Sequence, residues 1–113
     1  MRGMPPWRGP VLMTVRAVFP IPPSWAAWKR EAAAEGLILH TAKPDLDNII
    51  KLVKDALPGI AYDDDAQVVG YPGEPIKLYG SDPGITVTLR FLPAIESAAD
   101  AARARLGRAE IVA

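Results

Sequence analysis

The sequence predicts a small α+β domain in which helices pack on a mixed β-sheet. Its 113 residues are enough for one domain and too few for two. Two apolar runs, Val11–Phe19 and Ile85–Leu92, are each bounded by proline or glycine, as strands usually are. Between them, residues 46–57 carry apolar side chains at helical spacing. Helices and strands do not alternate regularly as in a doubly wound fold, so the pattern favours the α+β class.

Three helices are predicted. Ser24 can cap a first helix that begins near Trp25 and ends at Gly36, with Trp25, Trp28, Ala32 and Ala33 at helical spacing. The second helix begins after Pro44 and ends at the Leu57-Pro58-Gly59 sequence. Its apolar stripe consists of Leu46, Ile49, Ile50, Val53, Ala56 and Leu57. The third is an alanine-rich helix within residues 93–113.

The remaining segments are predicted to be short or irregular. Residues 1–10 show no periodicity and form an irregular lead-in to the single domain 1–113. Residues 37–41 are compatible with a strand or a loop. Short extended segments are expected at Ile60–Tyr62, Gln67–Tyr71 and Lys77–Tyr79, with a turn at residues 80–84.

Composition excludes several classes of protein. The absence of cysteine excludes disulfide frameworks, thiolate zinc sites, iron–sulfur clusters and cysteine nucleophiles. His40 is the single histidine, which excludes a histidine-rich metal site. The longest apolar stretch is interrupted by arginine and prolines, so no membrane span is expected. Since no small-residue cleavage site follows the apolar start, we expect a cytoplasmic protein.

Charge is unevenly distributed although the net charge is zero. Residues 45–65 contain six carboxylates and two lysines, and the rest of the chain contains eleven basic and seven acidic residues. A basic body around an acidic centre is typical of a metal-dependent enzyme that acts on polyphosphate. The same distribution also arises by chance, and charge alone does not decide between the two.

The sequence KPDLDN, residues 43–48, places Asp45 and Asp47 at the start of the second helix. One interpretation is helix capping, for which aspartate is well suited. The other is a functional pair, because one aspartate suffices for a cap and two repel each other without a cation. Lys51 lies one turn after Asp47 on the same face. Spacing alone favours neither interpretation.

A second acidic cluster, Asp63-Asp64-Asp65, is expected to lead directly into a strand. A surface turn would account for the first two carboxylates, whereas Asp65 is oriented by the sheet. A helix start and a strand start can converge and bring Asp45, Asp47 and either Asp64 or Asp65 together. Ligands with oxygen donors only are suited to Mg²⁺ or Mn²⁺. An EF-hand is excluded, because isoleucine occupies the position where glycine is required.

These motifs resemble the RusA family of Holliday junction resolvases. The resemblance covers Val11 to about Leu92 and is carried by KPDLDNIIKLVKDAL, AYDDDAQVV, Lys77 and the PGITVTL strand. It implies an α+β homodimer that cleaves four-way DNA junctions with Mg²⁺ or Mn²⁺, often encoded by phages and prophages and acting in recombination and repair. By position it implies that Asp45, Asp47 and Asp65 bind the metal and that Lys51 is catalytic. The resemblance implies supporting roles for Asn48, Asp55, Asp64 and Gln67.

Basic residues outside the acidic clusters are candidates for contacts with DNA phosphates, although each is also an ordinary solvated side chain. They are Arg16, Lys29, Arg30, Lys43, Lys77 and Arg90. His40 is expected to be a partly exposed structural residue. The three tryptophans, Trp7, Trp25 and Trp28, are expected to be core or dimer contacts rather than base-stacking platforms.

One departure from the family concerns the amino terminus, since RusA-like chains usually have an additional strand before the one at Val11–Phe19. We therefore expect an exposed sheet edge along Val11–Phe19. Self-association is then expected through this edge, the Trp25/Trp28 helix or the alanine-rich tail. Two alternatives to the nuclease stay open: a non-catalytic, shortened DNA-binding or assembly homologue, and an Mg²⁺ enzyme acting on nucleotides.

Overall fold

The computed structural model describes residues 5–112, with side chains described through residue 106. It has one sheet and three helices, as the sequence predicts, so the chain belongs to the α+β class. In chain order the elements are β1 (Val11–Pro20), α1 (Ala27–Ala34), α2 (Leu46–Ala56), a 3₁₀ turn (Asp65–Gln67), β2 (Val68–Gly70), β3 (Ile76–Gly80), β4 (Gly84–Phe91) and α3 (Ala98–Val112).

Strand β1 is the centre of the sheet. On one side it pairs antiparallel with β4, from Val11 opposite Phe91 to Val18 opposite Gly84. On its other side β2 and then β3 pair with it in parallel, one after the other along its length. The expectation of an exposed edge along Val11–Phe19 is therefore wrong. The chain after α2 returns to β1 three times, as β2, β3 and β4, and these returning strands become the edges.

The two faces of β1 differ because successive side chains point to opposite sides of a sheet. Val11, Met13, Val15 and Ala17 are fully buried on one face. Against them lie Ile49 and Val53 of α2, together with Ala61 and Tyr62. Of the apolar stripe predicted for α2, Ile49 and Val53 are buried in the core and Ile50 and Leu57 pack against it, whereas Ala56 is exposed. Burying such side chains stabilises a fold by roughly 1.5–3 kcal/mol each.

Helix α1 differs from its prediction. It begins at Ala27 after Ala26, whose side chain makes no capping bond, so the predicted cap at Ser24 is wrong. Trp28 is 68% exposed, and Ala33 is the buried residue of the helix. Trp28 therefore does not belong to the core of this chain. A turn with Gly36 at φ +81° ends the helix as predicted, in a conformation that glycine adopts at little cost.

The lead-in is more ordered than its sequence suggests, although residues 1–4 lie outside the described part. Trp7 forms a β-bridge with Tyr62, and its amide donates to the carbonyl of Ala61 at 2.9 Å. The indole of Trp7 contacts Phe91 and donates to the carbonyl of Leu92 at 3.0 Å. Trp7 is thus packed on the domain through these contacts, but it is 36% exposed and lies outside the buried core.

Helix α3 begins at Ala98, five residues after Pro93, where the hydroxyl of Ser97 accepts a bond from the amide of Asp100 at 3.1 Å. Asp100 also pairs with Arg103 one turn later. Of the predicted range 93–113, residue 113 lies outside the described residues. Within the described residues, no helix is long and apolar enough to cross a membrane.

Candidate active site

The first half of the candidate site is the start of α2. Asp45 is the N-cap residue, with φ −65° and ψ 145°, and its carbonyl accepts bonds from the amides of Asn48 and Ile49. The carboxylate of Asp45 makes no capping bond. Asp47 lies in the first turn and is exposed. No side-chain hydrogen bond therefore supports the interpretation of Asp45 as a helix cap.

The loop that precedes Asp45 is held by a lysine from the sheet. The ammonium of Lys77, on β3, donates to the carbonyl of Ala42 at 2.7 Å and to the carbonyl of Pro44 at 2.9 Å. Hydrogen bonds from a charged donor contribute more than neutral ones, about 1.5–3 kcal/mol in typical proteins. Lys77 was a candidate for phosphate contact, but here two of its three donors are used inside the protein.

The second half of the site is the acidic turn, residues 63–67, in which each carboxylate has a different contact. Asp63 lies 3.8 Å from Arg8 in an exposed ion pair. Asp64 caps the 3₁₀ turn and accepts from the amide of Ala66 at 3.0 Å. Asp65 accepts from the hydroxyl of Tyr62 at 3.2 Å. The acidic run does not lead directly into a strand as expected, because the 3₁₀ turn intervenes and β2 begins only at Val68.

Gln67 gives the acidic turn its shape. Its side-chain oxygen accepts from the amides of Asp63 and Asp64, both at 2.8 Å, which completes a capping box. Its side-chain nitrogen donates to the carbonyls of Trp7 and Gly9 at 2.8 and 2.9 Å. One amide side chain thus makes four hydrogen bonds and ties the acidic turn to the lead-in.

Tyr62 fixes Asp65 from the core side. Its ring is fully buried against β1 and α2, while its hydroxyl reaches Asp65. Burial, followed by the negative charge of Asp65 and the hydrogen bond to it, raises the pKa of Tyr62 to about 12. The hydroxyl therefore stays protonated near neutral pH and remains a donor to Asp65.

His40 is partly buried, as expected for a structural residue. Its ring stacks on Phe19 with centroids 3.7 Å apart and planes 8° from parallel, and it also contacts Tyr79. Burial, followed by the positive charge of Lys77, lowers the pKa of His40 below its ordinary 6.5. At neutral pH the ring is therefore uncharged, and no catalytic partner lies beside it among the described residues.

The remaining candidates are on the surface. Lys51, Asn48 and Asp55 are exposed on α2, with Lys51 one turn after Asp47. Arg16, Lys43 and Arg90 are exposed and make no ion pair within the described side chains. Lys29 lies 4.0 Å above the ring of Trp25, and Arg30 donates to the carbonyl of Trp25. These contacts hold both side chains against Trp25, which lies just before α1.

The donor set fits a divalent cation in kind, because carboxylate oxygens are the hard ligands that Mg²⁺ and Mn²⁺ prefer. Within residues 5–106, no lysine or arginine pairs with Asp45, Asp47 or Asp65. The structure does not gather them, however. Across the described part of the chain, no three acidic or histidine side chains lie together as metal ligands would.

The fold and these motifs define a chain of the RusA endodeoxyribonuclease family. The family model described as "Endodeoxyribonuclease RusA" matches residues 1–90, so the chain belongs to this family. It is also similar to the "Uncharacterized protein YqaN" of Bacillus subtilis (strain 168), with 43% identity over 84 residues. That alignment covers 73% of this chain and 58% of YqaN, so the chain spans less than two thirds of this relative. No solved structure matches this chain.

Sequence reasoning missed two contacts and did not predict the contacts of a third residue, Gln67. The anchoring of Asp65 by Tyr62 and the bonding of Lys77 to the loop were not predicted, and Gln67 was named only as a supporting residue. For Gln67 a local signal was available, since Asp64 and Gln67 have capping-box spacing. The bond from Tyr62 to Asp65 spans only three residues, but the burial of the tyrosine ring depends on its packing against β1. For Lys77 the sequence holds no comparable signal, because its partners lie 33 and 35 residues away.

Proposed function

We propose that this chain is a divalent-metal-dependent endodeoxyribonuclease that cleaves four-way DNA junctions during recombination and repair. One observation supports this proposal above the others. The carboxylates of Asp45 and Asp47 stand at a helix start without capping bonds or ion pairs, and Lys51 follows one turn later on the same helix. The helix dipole favours a carboxylate at this end of a helix, but two exposed carboxylates this close also repel each other, and a bound cation would relieve that repulsion. A lysine one turn later suits a phosphate bound beside that cation.

In the proposed reaction, Asp45, Asp47 and Asp65 would be the ligands of Mg²⁺ or Mn²⁺. Because this structure does not gather the three carboxylates, the proposal requires the start of α2 and the acidic turn to come together when the cation binds. When bound, the cation supplies Lewis acidity for phosphodiester hydrolysis. Tyr62 donates directly to Asp65, and Gln67 holds the backbone of Asp63 and Asp64 in the same turn. Lys51 offsets the negative charge that develops on the phosphoryl oxygens in the transition state. Exposed basic residues, Arg16, Lys43 and Arg90 among them, contact phosphates along the DNA arms.

The test of this proposal is the variant Lys51→Ala. We expect junction binding to persist and single-turnover cleavage at saturating DNA to slow by on the order of 10²-fold or more, as for the loss of one electrostatic contact to the transition state. Lys54→Ala removes a lysine from the last turn of the same helix, further from Asp45 and Asp47. This variant is the control and should cleave at the wild-type rate. Weaker binding with an unchanged single-turnover rate would show that Lys51 only holds the phosphate.

A homodimer is part of the proposal, because symmetric cleavage of two opposed strands needs two active sites. We expect a dimer at micromolar concentration in analytical ultracentrifugation over a range of concentrations. Since β1 is central, the surfaces proposed for pairing are the outer edges of β2, β3 and β4, the exposed face of α1 with Trp28, and the alanine-rich helix α3. A monomer throughout the range, together with cleavage confined to single nicks, would contradict the resolvase and leave a generic nuclease.

One observation favours a second candidate, a DNA-binding or assembly homologue without catalysis. The carboxylates are not gathered as a set of three within the described residues. Junction binding without any Mg²⁺- or Mn²⁺-dependent cleavage by the wild-type chain would support this candidate over the nuclease.

A further inference from the structure

Lys77 occupies an unusual position for a surface lysine. Its backbone lies in β3 opposite Ala17, which is 1% exposed in the centre of the sheet. From there its ammonium reaches the carbonyls of Ala42 and Pro44, on either side of Lys43. A long side chain held at both ends loses rotational freedom, so the two charge-assisted bonds must offset that loss.

These carbonyls belong to the loop that ends at Asp45. The side chain of Asp45 makes no capping bond, so the first turn of α2 is closed only by the backbone bonds from Asn48 and Ile49 to the carbonyl of Asp45. Among the described residues, the charged group that bonds to this loop is the ammonium of Lys77. Besides the packing of Ile49 and Val53 on β1, the two bonds of Lys77 therefore tie the loop before the helix start to the sheet.

We propose that Lys77 is a positioning residue that holds residues 42–44 and thereby places Asp45 and Asp47 for the site at the start of α2. The expected effect of Lys77 on cation binding rests on the proposed function, in which Asp45 and Asp47 bind a cation. Lys77 itself touches neither DNA nor the reacting phosphate. Its effect passes through the backbone of the loop to the carboxylates.

The competing role for Lys77 is direct contact with a DNA phosphate. The two roles predict different losses. A positioning residue affects the start of α2 and its affinity for a cation in the absence of DNA. A phosphate contact affects affinity for DNA and its dependence on salt, and leaves the free protein unchanged.

The experiment compares Lys77→Met with Lys77→Arg and the control Lys54→Met. Amide hydrogen exchange is read at Asn48 and Ile49, whose amides bond to the carbonyl of Asp45, and at Leu57, which bonds to Val53 near the far end of α2. Affinity for Mn²⁺ is measured by electron paramagnetic resonance without DNA, and affinity for a four-way junction is measured without divalent metal.

For Lys77→Met we expect exchange at Asn48 and Ile49 to be faster by on the order of ten-fold, which corresponds to about 1.4 kcal/mol. Exchange at Leu57 should be unchanged, Mn²⁺ affinity should fall by a similar factor, and junction affinity should stay at the wild-type value. Lys77→Arg keeps the charge and the donors and should recover part of both losses. In Lys77→Met the pKa of His40 should also rise, because a nearby positive charge is removed.

Unchanged exchange at Asn48 and Ile49 in Lys77→Met would overturn the proposal, as would a fall in junction affinity with metal affinity intact. If Lys77→Met does not fold, Lys77→Gln, which retains one donor without the charge, replaces it with the same expected direction. A wild-type chain that binds no Mn²⁺ would instead overturn the proposed function. The exchange comparison would then still decide whether Lys77 holds the start of α2.

Discussion

Replacing Asp47 with asparagine is expected to abolish metal-dependent cleavage while the protein stays folded. Asp47 is exposed in the first turn of α2 and makes no ion pair with any described side chain, so its removal disrupts no packing. On the proposed function Asp47 binds the cation, so its loss should remove about 4 kcal/mol of transition-state stabilisation, or roughly 10³-fold in rate. Stability should change by no more than about 0.5 kcal/mol, as is usual for surface substitutions.

Two opposing effects keep that change in stability small. The charge of Asp47 interacts favourably with the amino end of the helix dipole. It also repels Asp45 when no cation is bound. The measurements are Mn²⁺ affinity, single-turnover cleavage of a four-way junction and thermal unfolding. Glu35→Gln, which removes an exposed carboxylate at the end of α1, is the control and should behave as wild type. An Asp47→Asn chain that unfolds would show that Asp47 is structural and that the site assignment is wrong.

Replacing Gln67 with leucine is expected to produce the largest loss of stability among the polar substitutions considered. The side chain makes four hydrogen bonds, two to the acidic turn and two to the lead-in. At a net contribution of roughly 0.5–1.5 kcal/mol for each bond, the variant should lose about 3 kcal/mol. Partial solvent access at the turn keeps the loss below the sum for fully buried groups. Urea denaturation monitored by tryptophan fluorescence measures this difference.

The matched variant Gln67→Glu separates the two pairs of bonds. A carboxylate can still accept from the amides of Asp63 and Asp64, but it cannot donate to the carbonyls of Trp7 and Gly9. We expect an intermediate loss of stability that becomes smaller at acidic pH, where a protonated glutamate donates one bond. A loss below about 1 kcal/mol in Gln67→Leu would show that water replaces the side chain. The role given to Gln67 in shaping the acidic turn would then be wrong.

Local sequence patterns determined much of this fold. The apolar period of residues 46–57 predicted α2 and its buried face, because one stripe of a helix must face the core. The bounded apolar runs predicted β1 and β4, and the alternation in β1 matches its buried face. The motifs at residues 43–51 and 61–69 identified the RusA family, to which the chain belongs. Each of these signals lies within a dozen or so consecutive residues.

The tertiary structure alone decided the features that join distant segments. Strand β1 was expected at an edge and is central, because pairing partners are not encoded in the strand itself. Lys77 bonds to carbonyls 33 and 35 residues away, and Gln67 to carbonyls 58 and 60 residues away. Trp28 has helical spacing in the sequence and is exposed in the fold. A side chain's chemistry limits which bonds it can form, but which group it meets depends on how the whole chain packs.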